Sequence, residues 1–447
     1  MKPRERRETG QSDLFKARLD QTIDMNQPRV RLAGQIDWGF LEGKFGVVYA
    51  DGPGSPPLPT RLMAGLHILK YSENLSDERL CEVWLENPYF QYFCGEEFFQ
   101  HRLSFDRSSL TRWRQRMGEE RLAALLQESL AVALKSGAMK PSELTAVVVD
   151  TTVQPKNIAH PTDAKLLNRA REMLVRLAGK YGVPLRQSYR RVGKFALIRQ
   201  QRYAHAKQFK RANKWLRRLK TYLGRVMRDI RRKIAGREAL QAVFAEPLFL
   251  SFRVLTQKKR QKEPKVYALH APEVECIGKG KAHKPYEFGV KVSFATTVAP
   301  SKGGQFIIHA KALPGNPYDG HTLKIVLPGI EALTGAALSR ILADAGYKGH
   351  NAPPEHKFKV YTQGQKRGMT EKIKRQFRRR AAIEPVIGHT KEDHRMGRNY
   401  LAHREGDAIN AVLAAAGYNF RRLLSFLEIL LRLILTLLAE ATMPRAA

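Results

Sequence analysis

Nine consecutive residues, TAVVVDTTV at 145–153, constrain the fold more than any other stretch of the chain. The run has neither helical spacing nor polar alternation, and it is dominated by β-branched side chains. That pattern predicts a central strand buried on both faces, with other strands beside it. Asp150 is read as the end of that strand. A carboxylate there costs desolvation free energy unless a cation compensates it.

The 447 residues suffice for two or three domains, and a 43% hydrophobic content is that of a globular protein. Charge narrows the function: 78 Lys and Arg against 42 Asp and Glu leave +36, which points to a polyanion and first of all to nucleic acid. A ribosomal or structural RNA-binding protein would share that composition. Within 165–233 there are 23 Lys or Arg and two acids, Glu172 and Asp229, a net +21. Apolar residues recur there at helical intervals, so the segment is read as two or more long basic helices inserted into the following domain. Their basic face, with Lys210, Arg211, Arg217 and Arg218, is a nucleic-acid surface or else a solvated coiled-coil arm.

Elsewhere the coarse pattern is mixed α and β. Residues 1–30 are polar, and YADGPGSPPLPTR is a loop. From Thr60 to Leu134 the spacing predicts helices, with Ser76 and Ser108 as N-caps. Arg112, Arg114 and Arg116 surround Trp113 as in a short DNA-reading helix, or on a solvated helix with Trp113 in the core. Strand signals lie at 264–272, 286–298 and 305–313, resembling an antiparallel meander, and again at RILAD, ending in Asp344, and FKVYTQ. Three cysteines, Cys81, Cys94 and Cys276, form neither a zinc signature nor a disulfide framework, which points to a reducing cytosol. The N-terminus has no apolar core of a signal peptide. The apolar run Leu423–Leu438 carries Glu428 and Arg432, and is read as a buried or dimer-forming helix rather than a membrane span.

Three carboxylates stand out by position: Asp150, Asp344 and Glu384. Hard divalent cations, Mg²⁺ or Mn²⁺, favour such oxygens together with phosphate, and a pair of them promotes in-line attack on phosphorus. Phe377, Arg380, Glu384 and Lys391 are spaced x2, x3 and x6. This resembles the Y-x2-R-x3-E-x6-K signature of bacterial insertion-sequence transposases of the DDE class, with Phe377 in place of Tyr. VVVDTTVQP and ILADAGYKG resemble the contexts of that family's first two aspartates, and LPTRLMAGLHILKYSENLSDERL its N-terminal helices, as in the insertion-sequence 5 family.

The resemblance implies an RNase H-like catalytic core, a mixed sheet with flanking helices, at 141–159 and 262–421. It also implies a helical DNA-binding domain at 58–140 after a polar segment 1–57, a basic insertion at 160–261, and a C-terminal helix and tail at 422–447. Further implied are metal-dependent DNA cleavage and strand transfer at element ends, with Asp150, Asp344 and Glu384 as ligands of two ions and Arg380 and Lys391 on phosphate. Terminal repeats and target DNA would be its partners, and bringing two ends together implies a homodimer. A nuclease that does not join strands, and a non-catalytic repressor, are the alternatives. On a continuous helix, offsets of four and seven put Arg380 and Lys391 on the face of Glu384. Pro385 interrupts that helix, and a kink that keeps the face is the reading adopted. Asp319, in a Gly/Pro turn, is the rival to Asp344, which has the better strand context.

Overall fold

The computed structural model describes residues 17–49, 56–258, 261, 264–278, 285–299 and 301–442. The first 16 residues and part of the 49–61 loop therefore lie outside the described residues. The chain divides into two units, Met1–Pro155 with Val290–Ala447, and Lys156–Gly289.

The strands are β1 Ala146–Pro155, β2 Glu275–Gly278, β3 Tyr286–Thr297, β4 Ile307–Leu313, β5 Arg340–Ala343 and β6 Val360–Thr362. In the first unit they run in the order β4-β3-β1-β5-β6. Strands β1, β5 and β6 are parallel neighbours, and β3 and β4 are antiparallel, so the sheet is mixed and the architecture α+β. Val147, Val148 and Val149 are each fully buried, which is possible only with both faces of β1 covered. The strand does not stop at Asp150. Thr151, Thr152 and Val153 carry it on to Pro155, whose carbonyl accepts the Asn399 N–H at 2.8 Å, so Asp150 lies mid-strand.

The N-terminal helices share the sheet's core. Leu66 of helix Thr60–Ser72, Trp84 of Asp77–Glu86 and Leu130 of Ser108–Lys135 belong to one buried cluster with Val148, Phe294 and Leu413. The last helix, His403–Thr442, passes so close to Thr60–Ser72 that a Cβ on Gly417 would stand 2.5 Å from the Tyr71 Cβ. Tyr71 Oη donates to Asn410 Oδ1, and Asn410 Nδ2 to Gln154 Oε1, both at 2.9 Å, tying that helix pair to β1. Ser76 caps its helix by accepting the Arg79 N–H at 3.1 Å. Ser108 does not cap: it is already helical, and Asp106 Oδ1 accepts its N–H at 2.8 Å. Gly118, at φ 67°, divides that helix in two.

The apolar run from Leu423 is the second half of helix His403–Thr442. Leu423 and Leu427 are buried, while Ile429 and Leu433 are 58% and 56% exposed. The buried-helix reading therefore holds only for its first turns.

In the second unit, four helices, Asp163–Lys180, Arg190–His205, Phe209–Ile234 and Glu238–Thr256, enclose Leu167, Leu174, Leu223, Ile230 and Phe244. Glu238–Thr256 is long and apolar enough to cross a membrane by length and composition, yet Phe244, Leu248 and Val254 bury in this core. Residues 264–272 form no strand. Pro264 and Pro272 lack a ladder N–H, and Ala268 and Ala271 bury instead in a small cluster with Tyr267 and Phe288. The strand forms just after, as β2, which pairs antiparallel with the first residues of β3.

Candidate active site

Strands β1 and β5 pair in parallel with Val147 opposite Ile341 and Val148 opposite Leu342. Two residues further in the same register, Asp150 stands level with Asp344, the first residue after β5. Asp344 Oδ1 accepts the Gly346 N–H at 2.8 Å, capping the short turn Ala345–Tyr347. Asp319 lies near both aspartates. A Cβ on Gly346 would lie 3.0 Å from Asp344 Oδ1, a tight contact that would press on that carboxylate, and 3.5 Å from Asp319 Oδ2.

The three aspartates differ in their counter-ions. Asp319 Oδ1 accepts from Lys291 Nζ at 2.9 Å and from Thr151 Oγ1 at 2.8 Å. Asp150 accepts its neighbour's N–H, Thr151, at 2.7 Å and meets Arg380 only at a long 3.4 Å. Asp344 forms no ion pair among the described residues. Burial pushes the Asp150 carboxyl up to about 6, and the nearby Asp344 and Asp319 charges push the same way against Arg380. Tyr347, fully buried, has its phenol raised well above the usual range, first by burial and then by the three aspartates.

The third predicted carboxylate is not with them. Helix Glu371–Arg380 ends, and a second helix, Ile383–Asp393, begins after Ala381 and Ala382. Bonds tighten at the junction, Ala382 N–H to Arg379 O and Glu384 N–H to Ala381 O. Pro385 is the third residue of the new helix, where an amide N–H has no intrahelical partner to lose. Two helices thus replace the predicted kinked one. Arg380 turns inward to Asp150 and, at 3.4 Å, Gln363 Oε1. Glu384 is exposed, with no hydrogen bond or ion pair to its carboxylate among the described residues. Lys391 is half-buried two turns along the helix that carries Glu384. Phe377 and Arg380 line one wall of a cavity of about 430 Å³ with Thr362, Gln363, Met369 and Lys374. Among the described residues no three His, Cys, Asp or Glu side chains converge closely enough to hold an ion by themselves.

The arginines around Trp113 separate by burial. Trp113 lies in the core, with ring centroids 5.1 Å from Phe45 and 4.7 Å from His67. Arg112 and Arg116 are exposed, the latter over Tyr49. Arg114 is a correction to the predicted DNA contacts: it is 2% exposed and binds Asp77 through both nitrogens at 3.0 and 2.7 Å, beside Lys70 and His67. Burial holds the neutral form of His67, lowering it to about 3. Arg114→Ala would leave a half-buried Asp77 with Lys70 as its remaining cation, and is expected to lower unfolding stability by about 2 kcal/mol. Denaturant unfolding measures that loss, and DNA affinity of the folded fraction should not change.

Residues 17–116 match the family described as transposase domain (DUF772). Over 201 residues the chain is 52% identical to the uncharacterized protein ORF8 of the nfe locus of Rhizobium meliloti, spanning 45% of this chain and 97% of that protein. The chain belongs to one family with ORF8, and its first part carries a transposase domain. No solved structure matches it. The transposase-domain match covers Arg112, Arg114 and Arg116 but ends before Asp150, so the aspartate cluster rests on geometry and electrostatics.

Sequence reasoning missed Lys291, Thr151 and Tyr347. A lone lysine inside the apolar strand run YEFGVKVSFATT was the available signal for the first. Nothing local marks Thr151 as a partner of a residue 168 positions away.

Proposed function

We propose that this protein is a DDE transposase of the insertion-sequence 5 type, with an RNase H-like core that cleaves and joins DNA at element ends. What supports this reading is one observation: neighbouring parallel strands bring Asp150 level with Asp344, and Asp150, raised first by burial and then by the Asp344 charge, has Arg380 only at 3.4 Å. The donor set fits Mg²⁺ or Mn²⁺ in chemical type, since such ions bind through one or two carboxylates plus phosphate oxygens and water. Asp150 and Asp344 would hold the metal, two ions in the full reading; Glu384, which faces solvent in this structure, would have to turn toward them to serve as a further ligand. When bound, it supplies Lewis acidity and a water activated for in-line attack on phosphorus.

The chain's own residues then have distinct tasks. Lys291 and Thr151 keep Asp319 neutralised and fixed, so that Asp344 is the carboxylate left uncompensated. Arg380, loosely held by Asp150 and Gln363, is free to transfer its fork to a phosphate oxygen. Phe377 borders the same cavity and provides an apolar wall beside that phosphate. A side chain on Gly346 would press on the Asp344 carboxylate. Gly346→Ala is expected to cut cleavage about tenfold or more by displacing Asp344, measured on end-bearing DNA against the wild type.

Metal binding has its own test. Titrating Mn²⁺ into the protein should raise its melting temperature, and Asp150→Asn should abolish that rise; equal rises in both would place the metal elsewhere. DNA is the proposed partner and a homodimer the proposed assembly, because two ends must be joined. Sedimentation with end-bearing DNA should show two copies per complex.

A further inference from the structure

Helices Arg190–His205 and Phe209–Ile234 of the second unit are joined by Ala206–Gln208. The two acids of the basic segment are spent locally. Asp229 accepts the Arg186 N–H at 2.9 Å with Lys233 beside it, and Glu172 accepts from Asn168 at 2.8 Å. Some cations are also structural: Arg171 is buried, donating to Asn168 Oδ1 and Ser188 O. Two exposed ones are held differently. The Arg199 guanidinium stands 4.7 Å from the Phe195 ring centroid and 5.2 Å from that of Trp215, and Arg218 stands 4.6 Å from Trp215. Neither forms an ion pair or donates a side-chain hydrogen bond among the described residues. Each guanidinium carries five N–H donors in a fixed plane. The aromatic contacts therefore hold two planar forks in place while their donors stay unspent.

We propose that Arg199 and Arg218, held on Phe195 and Trp215, form a clamp for the phosphate backbone of duplex DNA. Stacking restricts the side chain before the ligand arrives, so less freedom is lost on binding. With rings beside both guanidinium groups and their N–H donors unspent, the donors suit phosphate oxygens. The 26-residue helix that carries Trp215 and Arg218 is about 39 Å long, close to one turn of duplex. Lys210, Arg211 and Arg217 of this helix are exposed as well and extend the cationic surface.

The inference rests on DNA being the substrate, and the test separates the two. Duplex affinity of the full chain is measured by fluorescence anisotropy over a series of salt concentrations. Trp215→Leu changes no charge and is expected to weaken binding about three- to tenfold with an unchanged salt slope. Arg199→Lys, at an exposed site, should do the same by losing the fork while keeping the charge. Arg199→Gln with Arg218→Gln should reduce the slope by about two. Wild-type binding by both Trp215→Leu and Arg199→Lys would overturn the clamp alone. Equal binding of single-stranded DNA would overturn its duplex preference, and no affinity of the wild type for any DNA would overturn the clamp together with the functional reading. Because Arg199→Lys leaves the helix core intact, a folding defect in Trp215→Leu does not obscure the result.

Discussion

Asp150→Asn is expected to make the metal-free protein more stable at neutral pH while abolishing DNA cleavage. The carboxyl is raised from 3.8 to about 6, chiefly by burial, and its side chain is only 18% exposed. Between those values the folded chain binds more protons than the unfolded chain. Stability therefore falls as pH rises through that window and stays lowered above it. The interval corresponds to about 3 kcal/mol at pH 7, which the neutral amide would recover. Asn keeps an oxygen for the Thr151 N–H. Denaturant melts of both proteins across pH 4–8 check this. His67 and the other shifted groups titrate alike in both proteins, so the difference between the two curves isolates Asp150: the variant's advantage should grow from pH 4 to about pH 6 and hold above it, whereas a constant difference would show that Asp150 carries no such strain.

Glu384→Gln is the second large effect, and its signature is the opposite. Its carboxylate is exposed and has no described partner, so unfolding stability and duplex affinity should match the wild type within about 0.5 kcal/mol. Cleavage should nonetheless fall by about 10³-fold or more, as when one member of a catalytic set is removed. Full activity in this variant would reduce the candidate site to the aspartates alone. Comparing the two variants therefore assigns strain to the strand carboxylate and chemistry to both.

The sequence disclosed what local pattern controls. An unbroken β-branched run demanded burial on both faces, and β1 has it. Basic residues alternating with apolar ones at helical spacing became amphipathic helices, with Leu219, Leu223 and Ile230 inward. What stayed hidden depends on tertiary partners. Arg112, Arg114 and Arg116 are alike in sequence, yet only Arg114 meets Asp77 and disappears into the core. PKVYALHAP has the composition of a strand, but its alanines bury in a small cluster with Val274 instead. The interruption before Pro385 was foreseeable from the missing N–H, but not its consequence, that Arg380 faces Asp150 while Glu384 faces solvent. Strand context favoured Asp344 over Asp319, but nothing in the sequence showed that Lys291 would pair with Asp319.

The most direct test of the central claim is an end-cleavage assay. Supercoiled DNA bearing the element's own ends is incubated with wild type, Asp150→Ala or Glu384→Ala in Mg²⁺ or Mn²⁺, and nicked, cut and joined products are counted. The expected result is nicking and joining by the wild type only, lost on chelation. Cleavage by either variant at the wild-type rate, or none by the wild type, would contradict the assignment of these carboxylates to phosphoryl transfer.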